Sequence, residues 1–145
     1  MILAASLFSL FVVAFVAATL LPAQSELLLA GLIAKEIAPA ALLVLVATLG
    51  NVLGSCVNWG LGIYIESFRS RSWFPFKQAH IDKAQVFYRR FGRWSLLASW
   101  LPIIGDPLTL IAGVMRERLS VFILLVTLAK FTRYCVIAFV VLGFF

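Results

Sequence analysis

Four ionisable side chains, Glu26, Asp106, Lys130 and Arg133, stand inside stretches that are otherwise apolar. An unpaired charge at the centre of a bilayer costs about 3 kcal/mol on insertion scales, so two acids and two bases in such places call for partners. Lys130 and Arg133 are three residues apart and share a helical face. Two chemistries are open to them. The cations can receive an anionic headgroup while a carboxylate exchanges protons, or the charges can form an ion-pair cluster that only fixes helices. Burial raises a carboxylate pKa and a nearby cation lowers it, so sequence leaves both open. Gln24 and Asn51 are the uncharged polar groups expected on the same pathway; the other reading of Asn51, which shares a face with Asn58, is interhelical hydrogen bonding.

Both acids belong to a pattern that occurs twice. Leu21-Pro22-Ala23-Gln24-Ser25-Glu26 is followed by Ala30-Gly31, and Leu101-Pro102-Ile103-Ile104-Gly105-Asp106 by Ala112-Gly113. Proline breaks a helix and frees backbone polar groups. Pro22, Pro102, Gly105 and Pro107 are therefore expected at the tips of helical hairpins. Enzyme chemistry finds little footing: there is no metal-ligand spacing, nucleophile elbow or phosphate loop. The single histidine, His80, falls in a polar loop and is given no role, and no cofactor is expected. Cys56 and Cys135 lie in apolar segments and are expected to pack as small apolar groups.

The surrounding chain is 63% hydrophobic and 12% charged, with a mean hydropathy of +1.08. A soluble domain of 145 residues could not hide that much apolar surface, so the chain is expected to be an integral membrane protein. The net charge of +6 is carried mainly by residues flanking apolar segments. It is a topology signal and a contact for anionic headgroups, and nucleic acid is not an expected partner. No Lys or Arg precedes the apolar N-terminus, so a cleaved signal peptide is not expected.

Ile2–Leu21 is long enough to span, but the piece after Pro22, Leu27–Ala34, reaches less than halfway across a ~30 Å hydrocarbon core. Residues 1–34 are expected to form one hairpin. Residues 40–65 form a full span with small residues along it and with Asn51 and Asn58 on one face. Residues 66–93 are a basic, cytoplasmic loop. Within it, 78–91 has helical apolar spacing at Ile81, Ala84, Tyr88 and Phe91, with Gly92 as its stop. Trp73, Phe74, Phe76, Phe87 and Trp94 suit an interfacial aromatic belt. Residues 94–115 are a second hairpin with arms Trp94–Leu101 and Leu108–Met115, each about 12 Å if helical; a kinked span is the alternative. Residues 119–145 are the last span. The fold expected is an all-α integral membrane protein. It has two inverted repeats of re-entrant helical hairpin plus transmembrane helix, with the cytoplasmic amphipathic helix between them. Broken helices meeting near the midplane are a recurring transporter design. Two full spans leave a monomer little protein with which to bury four polar elements, which points to a homodimer.

The chain resembles the DedA (SNARE-associated, VTT-domain) family, closest to its YqaA-like branch. The resemblance rests on Pro22-Ala23-Gln24-Ser25 before Ala30-Gly31, on Phe87-Tyr88-Arg89-Arg90-Phe91-Gly92, and on Trp100-Leu101-Pro102 with Ala112-Gly113 and Met115. The family commonly carries an acid where this chain has Gln24, and arginines where it has Ser99 and Gly105. Lys130-Phe131-Thr132-Arg133-Tyr134 resembles the YqaA-like branch and could supply the missing cations. The resemblance implies a multi-pass protein of the bacterial inner membrane that moves lipid: a flippase or scramblase of a phospholipid or undecaprenyl phosphate, supporting envelope integrity. Protons could couple through Glu26 or Asp106. The alternatives are a small ion- or proton-coupled solute transporter and a non-transporting structural membrane protein.

Overall fold

A computed structural model describes residues 1–18, 22–64, 78–100 and 105–144; for 22–24, 78–80, 100 and 144 it describes the backbone. The described residues are helical, with no strand among them. In chain order the helices are α1 (Ile2–Ala17), α2 (Pro22–Ala34), α3 (Ala40–Ile63), α4 (Gln78–Phe91), a 3₁₀ helix (Gly92–Trp100), α5 (Gly105–Val114) and α6 (Leu119–Phe144). Two of them, α3 with 24 residues and α6 with 26, are long and apolar enough to cross a membrane. At 1.5 Å per residue they run about 36 and 39 Å.

The helix ends differ from the sequence expectation in instructive ways. α1 closes at Ala17, short of Leu21. Pro22 opens α2 at its first position, where the missing N–H is no loss. Pro102 lies outside the described residues. Gly105, Asp106 and Pro107, expected as the break between two hairpin arms, form the first turn of α5. There a proline again removes only a donor that has no intrahelical partner. The arm expected as α-helical over Trp94–Leu101 is 3₁₀ from Gly92 to Trp100. Gly92, with φ +63°, ends α4 in a conformation glycine adopts without steric cost. Ser95 donates to the Gly92 carbonyl at 2.7 Å and tightens the next turn. Three residues per turn then stack Leu96 and Ser99 on one buried row.

Two helix ends repeat each other at an offset of 80 residues. At the end of α2, Glu36 N–H donates to Ile33 O (3.0 Å) and Ile37 N–H to Leu32 O (3.3 Å). At the end of α5, Arg116 N–H donates to Gly113 O (3.0 Å) and Glu117 N–H to Ala112 O (2.9 Å). Both are Schellman caps, and both place a non-glycine residue in the left-handed region, Glu36 at φ 54° and Arg116 at φ 56°. The repeated Leu-Pro pattern thus carries a repeated backbone stop.

The chain forms two compact units, residues 1–54 with 130–145, and residues 55–129. The boundary cuts both long helices near their middles. In the first unit α1 packs on α2, and Leu10, Ala14, Leu29, Leu43, Ala47 and Tyr134 form the heart of a core from four helices. Gly50 and Gly54 on α3 are essential to it. A Cβ on Gly50 would overlap the Phe11 carbonyl oxygen, and one on Gly54 that of Phe15. This close approach is the use small residues have in lipid-embedded helix pairs. In the second unit α4 packs on α5 and on the 3₁₀ helix. α5 is buried from Gly105 to Gly113, and a Cβ on Gly113 would overlap the Trp59 carbonyl of α3. The buried face of α4 is Ile81, Ala84 and Tyr88; Phe91, expected with them, is exposed. It stands at the helix end, where the turn carries it off that face.

Candidate functional site

The polar groups of the first unit gather at mid-length of its long helices. Lys130 and Arg133 lie eleven residues from the start and from the end of α6, respectively, which is about 16 Å from either end. Asn51 lies eleven residues into α3. All three are buried. The Arg133 guanidinium pairs with the Glu26 carboxylate of α2. The pair is asymmetric: the Arg133 side chain is 8% exposed and that of Glu26 33%. Beside it, Ser25 Oγ and Tyr134 Oη share a hydrogen bond at 2.9 Å, both residues fully buried. The same two turns of α2 and α6 are therefore joined twice, once by charge and once by hydroxyls. Arg133 also lies 5.8 Å from the centroid of the Tyr134 ring.

Asn51 Nδ2 donates to the Ala14 carbonyl of α1 at 2.9 Å. Its Oδ1 is buried without a hydrogen-bond partner, a costly state for an amide oxygen. Gln24 lies outside the described side chains. An apolar groove of about 370 Å³ opens between the start of α3 and the end of α6, lined among others by Val44, Leu45, Phe131, Cys135 and Phe139. Cys135 is thus a wall residue, in keeping with packing.

Asp106 belongs to the second unit. It is buried in the first turn of α5, where the positive end of the helix dipole favours a carboxylate. Asn58 Nδ2 donates to Thr109 Oγ1 at 3.1 Å, and Thr109 donates to the Asp106 carbonyl at 2.5 Å. Asn58 is thereby an interhelical tie from α3 to α5. Gly105 abuts the backbone of Ser99, which a Cβ would overlap.

Three residues escaped the sequence reading. Ser25 and Tyr134 were invisible as partners because they are 109 positions apart; a hydroxyl beside each charge of an expected pair was the available signal. Glu117, which belongs to no motif in the sequence, is the hub of the second unit. Its carboxylate accepts from Tyr88 Oη at 2.7 Å and lies 3.8 Å from Arg93 Nε, and its carbonyl accepts from Trp59 Nε1 at 3.0 Å. Burial, then the Glu117 hydrogen bond and charge, push the Tyr88 phenol well above its ordinary value. Among the described residues no group of His, Cys, Asp or Glu could hold a metal ion.

The chain matches the VTT domain over residues 1–142. It is 39% identical over 135 residues to the inner membrane protein YqaA of Escherichia coli (strain K12), covering 93% of this chain and 90% of that one. It is 33% identical over 141 residues to an uncharacterized protein of Haemophilus influenzae, covering 92% and 86%. An uncharacterized membrane protein of Mycobacterium tuberculosis is 30% identical over 112 residues, 72% of this chain and 48% of its own length. No solved structure gives a significant match. With two membrane-length helices and this kinship over nearly its whole length, the chain belongs to the VTT-domain (DedA) family, on its YqaA-like branch, and is a multi-pass protein of the bacterial inner membrane.

Proposed function

We propose that the protein is a lipid translocase, moving a phospholipid or polyprenyl phosphate with an anionic headgroup between leaflets. The observation that carries this reading is the Glu26–Arg133 pair at mid-length of α6 with Lys130 buried one turn away. Two cations at that depth, with Arg133 held by a carboxylate whose side chain is one-third exposed, give a phosphate a place to exchange in. An anionic headgroup would compete with Glu26 for Arg133, and Glu26, the more exposed partner, could take up a proton as it is displaced. Lys130, Arg133, Glu26 and Asn51 are the residues to which the pathway is assigned, with Asp106 as a second proton-exchanging carboxylate.

The architecture we propose is a pair of inverted repeats, each a re-entrant hairpin followed by a span: 1–34 with 40–65, and 94–115 with 119–145. The basic segment 66–93 lies on the cytoplasmic side between them. The caps repeated at 80 residues support the repeat, and hairpins returning to their own side keep the arginines near 116 cytoplasmic. Irregular backbone at hairpin tips is tolerable in a membrane when buried in protein or wet.

The test is transport by the purified full chain in liposomes, read with a headgroup-labelled anionic lipid and a membrane-impermeant quencher. Wild type should expose inner-leaflet label, and Arg133→Gln should abolish this while leaving the protein folded. Lipid movement unchanged in Arg133→Gln and Lys130→Gln would make the charges struts, and solute flux without lipid movement would mark a solute carrier.

A further inference from the structure

The second unit carries a surface that the midplane chemistry does not use. Among its described residues Lys83, Arg89, Arg90, Arg93, Arg116 and Arg118 are exposed, against one exposed acid, Asp82. Glu117 offsets Arg93 alone among them, at 3.8 Å; its carboxylate is otherwise turned inward to Tyr88 and is 12% exposed. Along α4 and the 3₁₀ helix these cations alternate with large apolar groups that are also exposed: Val86 and Trp94 at 65%, Phe91 at 48% and Leu97 at 40%. Arg90 lies 5.4 Å from the centroid of the Phe91 ring.

Neither water nor hydrocarbon alone accounts for this mixture. A surface meant for bulk water has no reason to present an indole and a phenyl ring, and one meant for acyl chains has no reason to present six cations. The headgroup layer accepts both, since aromatic rings sit at its depth and arginine and lysine reach phosphate while their stems stay apolar. The face is also held in place. Ile81, Ala84 and Tyr88 are buried, and the Tyr88–Glu117 bond fixes the rotation of α4, so Lys83, Val86, Arg89 and Arg90 turn outward together.

We propose that this surface, centred on α4, is a docking site for the anionic phospholipid headgroups of one leaflet. It is distinct from the proposed translocation pathway and does not depend on transport. Charge complementarity names the occupant: each Lys or Arg near an anionic leaflet adds to the attraction, and the apolar side chains among them hold the surface at the interface.

The experiment places an environment-sensitive fluorophore on Val86→Cys in the full chain carrying Cys56→Ala and Cys135→Ala. The protein is reconstituted in vesicles of phosphatidylcholine alone or mixed equally with phosphatidylglycerol. The expected result is bluer emission and severalfold weaker quenching by aqueous iodide in the anionic vesicles, reduced by high salt. Adding Lys83→Gln, Arg89→Gln and Arg90→Gln should erase the difference between the two lipids. These side chains are exposed, so the fold should survive, which unchanged thermal unfolding in detergent confirms. Tyr88→Phe, which frees the rotation of α4 but keeps the charges, should retain the lipid difference with broadened emission. Equal accessibility in both vesicles, as for a face reserved for an acidic protein, overturns the proposal. So does a lipid preference that survives the triple substitution.

Discussion

Tyr134 Oη and Ser25 Oγ lie 2.9 Å apart, one position outside the Arg133–Glu26 pair on each helix. Hydroxyl and charge therefore join α2 to α6 side by side. A neutral hydrogen bond contributes about 1 kcal/mol, and leaving one buried partner unsatisfied costs more. Tyr134→Phe and Ser25→Ala should each lower the apparent Tm by a few degrees, and the double variant should lose less than the sum. Thermal unfolding of the four proteins in one detergent checks this.

The charged pair should respond differently. Removing one member strands the other in a poor dielectric, a loss of about 3–5 kcal/mol for a fully buried pair. Glu26 keeps a third of its side chain exposed, so Arg133→Ala should cost on the order of 2 kcal/mol after that discount. The charge reversal Glu26→Arg with Arg133→Glu should recover part of the loss. Destabilisation by the double reversal equal to the sum of the two single reversals would show that the pair does not couple.

Glycine substitutions separate contact from composition. Gly54→Ala places a methyl into the Phe15 carbonyl and the Ala18 side chain. Backbone cannot yield cheaply, so the cost should be about 1–3 kcal/mol. Gly60→Ala has open space within 4 Å and should be neutral or gain up to about 1 kcal/mol through helix propensity. Chemical denaturation in mixed micelles distinguishes the two.

The paired caps predict stabilising changes. Glu36 and Arg116 hold left-handed backbone that costs a residue with a Cβ about 1 kcal/mol. Glu36→Gly and Arg116→Gly should each raise the apparent Tm, because glycine takes this conformation freely.

Tyr88 supplies a pH test. Its phenol is raised from the ordinary value of 10.0 first by burial and then by Glu117. A group whose folded pKa lies above its unfolded value gives stability that is intact below the unfolded pKa and lost as pH rises towards the folded one. Stability should therefore fall above pH 10 through Tyr88, and Tyr88→Phe should remove that slope. Glu117→Gln should lower the phenol pKa part of the way, leaving the share due to burial. Tyrosinate absorbance against pH measures both.

Much of this architecture is legible from local chemistry. Pro22 marks the start of α2 because it cannot serve elsewhere in a helix, and the spacing of Ile81, Ala84 and Tyr88 marks the buried face of α4 because helical geometry repeats it. Gly92 marks a stop because its φ is positive. The Schellman caps at Glu36 and Arg116 were not legible, since neither residue has glycine's signature and each cap is closed by the N–H of the next residue along the chain. The 3₁₀ run after Gly92 depends on a serine hydroxyl turning back on its own chain, a choice propensity does not record. That Glu26 and Arg133 need partners could be anticipated from the cost of burial, but not that they meet each other. That pairing, like the hub at Glu117, is made by packing between residues far apart in the chain.

The boundary between the compact units runs through the middle of α3 and of α6. Cutting the chain between residues 64 and 78 would leave neither piece with a whole unit. The N-terminal fragment would keep α1, α2 and all of α3 but lack the half of α6 that bears Arg133 and Tyr134. The C-terminal fragment would keep that half and lack Asn58 and Trp59. Each would carry the other's missing part, so the two halves of the gene are interlaced like folded hands. Fragments made separately should be unstable alone and should reassemble only when produced together.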